Sequence, residues 1–281
     1  MPAVPGRKIL DSAWAAASGV GAFNLIGIEH AEAIVAGAED ADTAVILQVS
    51  ENCVAYHGAL EPVGRAALAA AEAATVPVAV HLDHATRRDL VEAAVQLGFG
   101  SVMYDASTLP YAENVAATAA VAAWCHERGV AVEAELGEIG GKDGVHSPVA
   151  RTQPAEAAAF VAATGVDALA VAVGSSHAML SRDAVLDLGL IARLRAAVPV
   201  PLVLHGSSGV PDDTLRAAVA AGLTKVNIAT QLNKVFTAAV RDRLAADEKL
   251  TDPRRYLAAG REALAAEVAR LLRVLDAGRR Q

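Results

Sequence analysis

The sequence predicts an α/β fold: a single (β/α)8 TIM barrel that fills the 281-residue chain, with a helical extension from about residue 250. Two observations lead there. Short apolar, β-branched runs alternate with alanine-rich stretches of helical period from one end to the other, which means βαβ units and a parallel sheet. The runs number eight and are evenly spaced, which favours closure over an open doubly wound sheet, and no GxGxxG turn follows the first of them.

In chain order the strands are expected at residues 21–25, 44–49, 78–82, 101–104, 130–135, 168–173, 201–204 and 225–228. Helical period marks residues 87–97, 112–128, 154–164 and 212–221, with Gly98, Gly129, Gly165 and Gly222 standing where a helix C-terminal glycine belongs. The longest irregular stretch, residues 137–153, holds Gly140, Gly141, Lys142, Asp143 and Gly144 and reads as a mobile active-site loop rather than a domain linker. From Leu250 onward the chain is helical again and packs on the barrel or on a second subunit.

Composition narrows the function classes. A chain that is 54% hydrophobic but only 4% aromatic suits small-residue helices around buried strands. A formal net charge of −8 and a pI near 5.5 argue against nucleic acid as a partner, so an anionic substrate must be held by local groups. Cys53 and Cys125 form neither a disulfide framework nor a CxxC pair, which points to a reducing compartment. Pro2 and Pro5 interrupt the opening residues where a signal peptide needs a continuous apolar stretch, and no later segment reaches about 18 uninterrupted apolar residues. A cytoplasmic protein without membrane contact is expected.

In such a barrel the chemistry lies at the C-terminal ends of the strands. The third run leads into His81, Asp83 and His84, the fourth into Asp105, and the fifth into Glu133 and Glu135. The sixth leads into Ser175, Ser176 and His177, the seventh into His205, Gly206, Ser207 and Ser208, and the eighth into Asn227, Ile228, Ala229 and Thr230. A lone histidine is usually structural. Three converging from separate strands, His84, His177 and His205, can supply the protein ligands of a catalytic zinc and leave one position open for a substrate oxygen. Asp83 precedes a ligand histidine and so sits where a proton donor to an aldehyde oxygen belongs. Its alternative role is to orient that ligand. Asp105 and Glu135 are expected to support the metal from outside, as are Asn24 and Ser50 at the rim, while His81 is at most an outer partner. Gly206, Ser207 and Ser208, with residues 227–230 on the neighbouring strand, form a phosphate cradle of backbone N–H groups and hydroxyls, which implies a phosphorylated substrate.

Together, His-Leu-Asp-His at 81–84, Val-Glu-Ala-Glu-Leu-Gly at 132–137, Leu-His-Gly-Ser-Ser-Gly at 204–209 and Asn-Ile-Ala-Thr at 227–230 resemble the class II fructose/tagatose-bisphosphate aldolase family over nearly the whole chain. The resemblance implies that His84, His177 and His205 hold Zn2+ and that Asp83 is the proton donor. It also implies that Ala178, residues 206–208 and residues 227–230 hold dihydroxyacetone phosphate near a monovalent cation, in a homodimer or homotetramer. Three departures bear on the substrate. Ala178 stands where the family usually has glycine, the loop that carries a proposed base in fructose-bisphosphate enzymes reads Gly141-Lys142-Asp143-Gly144, and residues 227–230 lack the aspartate common in fructose-type members, as in the tagatose type.

Rival chemistries fit less well. A Schiff-base aldolase needs a core lysine, and Lys225 opens the eighth run at the wrong end of the barrel. A barrel zinc hydrolase would carry His-x-His on the first strand, where Phe23 and Asn24 stand. A non-catalytic sugar-phosphate binder is suggested only by Ala178 and the altered loop, and intact Asp83 weighs against it.

Overall fold

Eight parallel strands hydrogen-bond in chain order, and the last returns to the first. They are β1 (Val20–Asn24), β2 (Val45–Ser50), β3 (Val78–Ala85), β4 (Ser101–Tyr104), β5 (Ala131–Glu135), β6 (Ala168–Ala170), β7 (Leu202–Leu204) and β8 (Leu223–Ile228). Pairing of Val20 with Lys225 and of Ala22 with Asn227 closes the barrel. The computed structural model describes residues 3–136, 151–176 and 181–276. Residues 137–150 of the expected active-site loop, Asp143 among them, lie outside the described residues, as do His177 and Ala178.

The helices are α1 (Gly6–Ala15), α2 (Ile28–Asp40), α3 (Glu51–His57), α4 (Leu60–Ala73), α5 (Arg88–Leu97), α6 (Tyr111–His126), α7 (Pro154–Thr164), α8 (Leu188–Ala197), α9 (Asp212–Ala221), α10 (Thr230–Ala245) and α11 (Pro253–Leu275). Gly98, Gly165 and Gly222 cap α5, α7 and α9 directly. Gly129 differs: α6 ends at a helical C-cap, Glu127, and the glycine closes the turn that follows.

Side chains alternate across each strand, so every second residue enters the barrel. Outward-facing Phe23, Leu47, Leu82, Leu169 and Ile228 join the large core beneath the helices, each contributing about 1.5–3 kcal/mol on burial. Inside, Val20, Ala22, Ile46, Ala79, Met103 and Val203 form a second cluster with Ile9, Leu10 and Ala13 of α1, which plugs the floor. The apolar interior ends there. One step higher the same alternation delivers Gln48, His81, Glu133 and Lys225, all buried, and then the rim. The long α11 packs along α2 and α10 and touches β1.

Three expected strand limits are corrected by two residues or more, and several of the others by one. β6 ends at Ala170 rather than 173, although Val171 N–H still donates to Val203 O. β8 begins at Leu223, so Lys225 is an interior strand residue rather than its opening one. β3 continues to Ala85 through a register shift between Leu82 and Ala85 against β4.

Candidate active site

That register shift builds the site. Adjacent strand residues ordinarily point to opposite faces, so Asp83 and His84 could not both enter the barrel from a regular strand. His84 adopts a positive φ of 51°, which a residue with a Cβ reaches only when its surroundings enforce it. The bulge turns its imidazole to the same side as the Asp83 carboxylate, and both line one rim cavity.

Asp83 is held by Asn24 on β1, backed by Gln48 on β2, and by Asn227 on β8, whose Nδ2 lies 3.5 Å from Asp83 Oδ1. Asn24 Nδ2 donates to Asp83 Oδ2 at 2.7 Å, and Gln48 Nε2 donates to Asn24 Oδ1 at 3.1 Å. Burial acts most strongly on the Asp83 carboxyl and pushes it up, but the nearby imidazoles of His84 and His205, the Lys225 ammonium and the Asn24 hydrogen bond together hold it below the ordinary aspartate range. The group is therefore an ionised base at neutral pH.

The two described histidines of the rim meet from opposite sides. His84 Nδ1 lies 2.8 Å from Asp105 Oδ2, His205 Nε2 lies 2.9 Å from Glu133 Oε1, and the remaining nitrogens, His84 Nε2 and His205 Nδ1, lie 2.9 Å apart. Carboxylates behind both rings favour the protons on the outer nitrogens, which turns the inner ones toward each other as lone pairs that a shared cation can take up. The Asn227 amide Nδ2 also approaches His205, at 3.1 Å from Nε2 and 3.4 Å from Nδ1. The donors of Asp83, His84 and His205 lie within 4.8 Å of one another, as do those of His84, Asp105 and Glu135. Paired imidazoles with carboxylates behind them are a donor set that suits a catalytic divalent ion such as zinc.

The rim cavity, of about 200 Å3, is lined by Ser50, Asn52, Gly206, Ser207, Ser208, Asn227, Ala229 and Thr230 beside Asn24, Asp83 and the two histidines. Thr230 opens α10, so a helix N-terminus faces the cavity, and Ser208 Oγ accepts from the Gln231 N–H at 3.2 Å. Asn227 Oδ1 is buried without a partner among the described residues. Ile228 is fully buried and meets the cavity only through the chain on either side of it.

The described residues expected at the rim come together, with refinements, while His177 and Ala178 lie outside the described residues. Ser50 lines the cavity and also caps α3 by accepting from the Cys53 N–H at 3.1 Å. Asp105 is fixed by the Ser107 hydroxyl at 2.6 Å. His81 sits below the site, bonded to Ser101 Oγ at 2.9 Å, and burial followed by the Lys225 charge keeps it well below its ordinary range, hence neutral. Sequence reasoning passed over Gln48 and assigned no role to Glu133. Period two along β5 puts Glu133 and Glu135 on one face and was the available signal. Lys225, set aside as misplaced for chemistry, reaches Glu133 Oε2 at 2.5 Å and borders a separate floor cavity of about 20 Å3 rather than the rim.

Fold and rim chemistry are those of a barrel enzyme working at its strand ends. A family model described as "Fructose-bisphosphate aldolase class-II" matches residues 4–280. The chain is 39% identical over 272 residues, 95% of each protein, to a fructose-bisphosphate aldolase of Geobacillus stearothermophilus. Its structure is similar to that of the YdjI aldolase from Escherichia coli K12, with a TM-score of 0.83 and 29% identity over 97% of this chain and 96% of that one. The fold alone is shared with a fructose-bisphosphate aldolase of Campylobacter jejuni, with a TM-score of 0.83 and 22% identity over 100% and 97% of the two chains. The chain belongs to the class II fructose-bisphosphate aldolase family. It is a lyase, an aldolase, and membership implies a metal ion and a phosphorylated sugar substrate. No helix among the described residues is long and apolar enough to cross a membrane.

Proposed function

We propose that this aldolase is zinc-dependent and reversibly cleaves a ketose 1,6-bisphosphate of the fructose or tagatose type to dihydroxyacetone phosphate and an aldehyde. The observation that carries the reading is the approach of His84 Nε2 and His205 Nδ1 to 2.9 Å, with the Asp83 carboxylate within 4.8 Å, at the open end of the barrel. His84 and His205, with His177, would hold the ion, and Asp105, Glu133 and Glu135 would back them. When bound, zinc supplies a Lewis acid that polarises the ketone and stabilises developing negative charge by several kcal/mol.

The chain's own residues handle protons and orientation. In cleavage Asp83 takes the proton of the C4 hydroxyl as the C3–C4 bond breaks, and the electron pair passes toward C2 to leave the enediolate of dihydroxyacetone phosphate. In condensation Asp83 returns that proton to the aldehyde oxygen. Asn227 Oδ1, buried at the cavity wall without a partner among the described residues, accepts from a substrate hydroxyl. Gly206, Ser207, Ser208, Ala229, Thr230 and the N-terminus of α10 hold the phosphate, with a monovalent cation alongside. The missing aspartate in residues 227–230 supports the tagatose type. The reading includes one (β/α)8 domain with α11 as its extension, a homodimer or homotetramer, and a cytoplasmic setting consistent with two buried free cysteines.

The test is metal analysis with a coupled assay over a panel of ketose phosphates. About one zinc per chain is expected, with chelation abolishing activity and zinc restoring it. Full activity after exhaustive chelation overturns the reading.

A further inference from the structure

We propose that the buried Lys225–Glu133 pair is a positioning unit that dictates which nitrogen His205 presents to the metal. The proposal rests on the metal-dependent reading above. Lys225 is 1% exposed and Glu133 3%. Removing an ammonium and a carboxylate from water is unfavourable enough that well-packed apolar residues often serve stability as well or better, so the pair is poorly explained as a structural staple. Its geometry has a direction. Lys225 Nζ donates to Glu133 Oε2 at 2.5 Å, leaving Oε1 to accept from His205 Nε2 at 2.9 Å.

A carboxylate oxygen accepting there favours the proton on Nε2 over the competing approach of the Asn227 amide at 3.1 Å, and leaves Nδ1 as the lone pair that faces His84 Nε2. The opposite tautomer would point an N–H at the metal position. The second contact of Lys225, to His81 Nε2 at 3.4 Å, fixes the ammonium from the other side, and His81 is anchored in turn on Ser101. His84 is oriented differently: its carboxylate, Asp105, is pinned by the Ser107 hydroxyl and N–H at 2.6 and 3.2 Å. Lys225 borders the floor cavity and not the rim cavity, so it positions without touching substrate.

The experiment compares apoprotein of wild type, Lys225→Met, Glu133→Gln and the double variant. The double variant removes both charges at nearly constant volume, so folding is retained even if a single variant with one uncompensated charge does not fold. Co2+ binding is followed by its visible spectrum, Zn2+ binding by competition with a chromophoric chelator, and the His205 tautomer by 15N shifts of the imidazole. Wild type should show the Nε2–H form. The double variant should lose that preference and bind metal about 10–100-fold more weakly. Where the single variants fold, the double variant's loss should equal the larger single loss rather than their product, as residues acting as a unit require. Unchanged tautomer and affinity in the folded double variant, or losses that multiply, overturn the proposal. Failure of wild type itself to bind either ion would instead overturn the metal-dependent reading.

Discussion

Gly206→Ala tests whether the approach of two strand ends sets the active site. Gly206 follows His205 directly, has φ +67°, and a Cβ built on it would lie 2.5 Å from both the carbonyl carbon and the oxygen of Ser176. Backbone atoms cannot swing aside as a side-chain tip can. Gly165, at the C-cap of α7, supplies the control: its φ is +70°, and nothing lies within 4 Å of its built Cβ. Both alanines incur the left-handed cost of about 1–2 kcal/mol. Only Gly206→Ala adds overpacking, about 1–3 kcal/mol more. At about 2–4 °C per kcal/mol for a chain of this size, calorimetry resolves the difference. Gly165→Ala should melt lower than wild type with unchanged kinetics. Gly206→Ala should melt lower still, and because its relief displaces His205 and Ser207, it should also lose metal affinity and raise KM. If Gly206→Ala melts no lower than Gly165→Ala and keeps wild-type KM, the close approach does not set the site.

Other substitutions isolate single roles. Asp83→Ala should retain metal while kcat for cleavage falls by roughly 10²–10⁴, and solvent exchange of the C3 proton of dihydroxyacetone phosphate should suffer much less; loss of zinc, or equal loss of both reactions, makes Asp83 a ligand support instead. Asn24→Ala removes a hydrogen bond that helps hold the Asp83 carboxyl below its ordinary range, so the acid limb of kcat against pH should move upward, and an unmoved limb detaches Asn24 from that role. Thr230→Val should raise KM for the ketose phosphate more than it lowers kcat, and an unchanged KM moves the phosphate cradle elsewhere. His205→Ala should lose metal and activity together, as read by metal analysis and turnover, since one of the proposed ligands is gone.

The alternation of apolar runs and alanine-rich helices determined the barrel, because both periodicities are local and their alternation admits few parallel arrangements. It also determined the shared rim of Asp83, His84 and His205, since strand ends in a (β/α)8 barrel converge wherever the register falls. The particular partners were decided only in three dimensions. His84 and His205 are separated by 121 residues, and Lys225 and Glu133 by 92. No local pattern records which inward residues of distant strands share a level, because closure and stagger set that height. The bulge in β3 likewise has no counterpart in the run of residues 81–84: it coincides with the positive φ of His84 and turns Asp83 and His84 to one face. Gln48 behind Asn24, Glu133 behind His205 and Lys225 beneath both became legible only once the strands had closed, when burial fixed which neighbours each of these polar groups could reach.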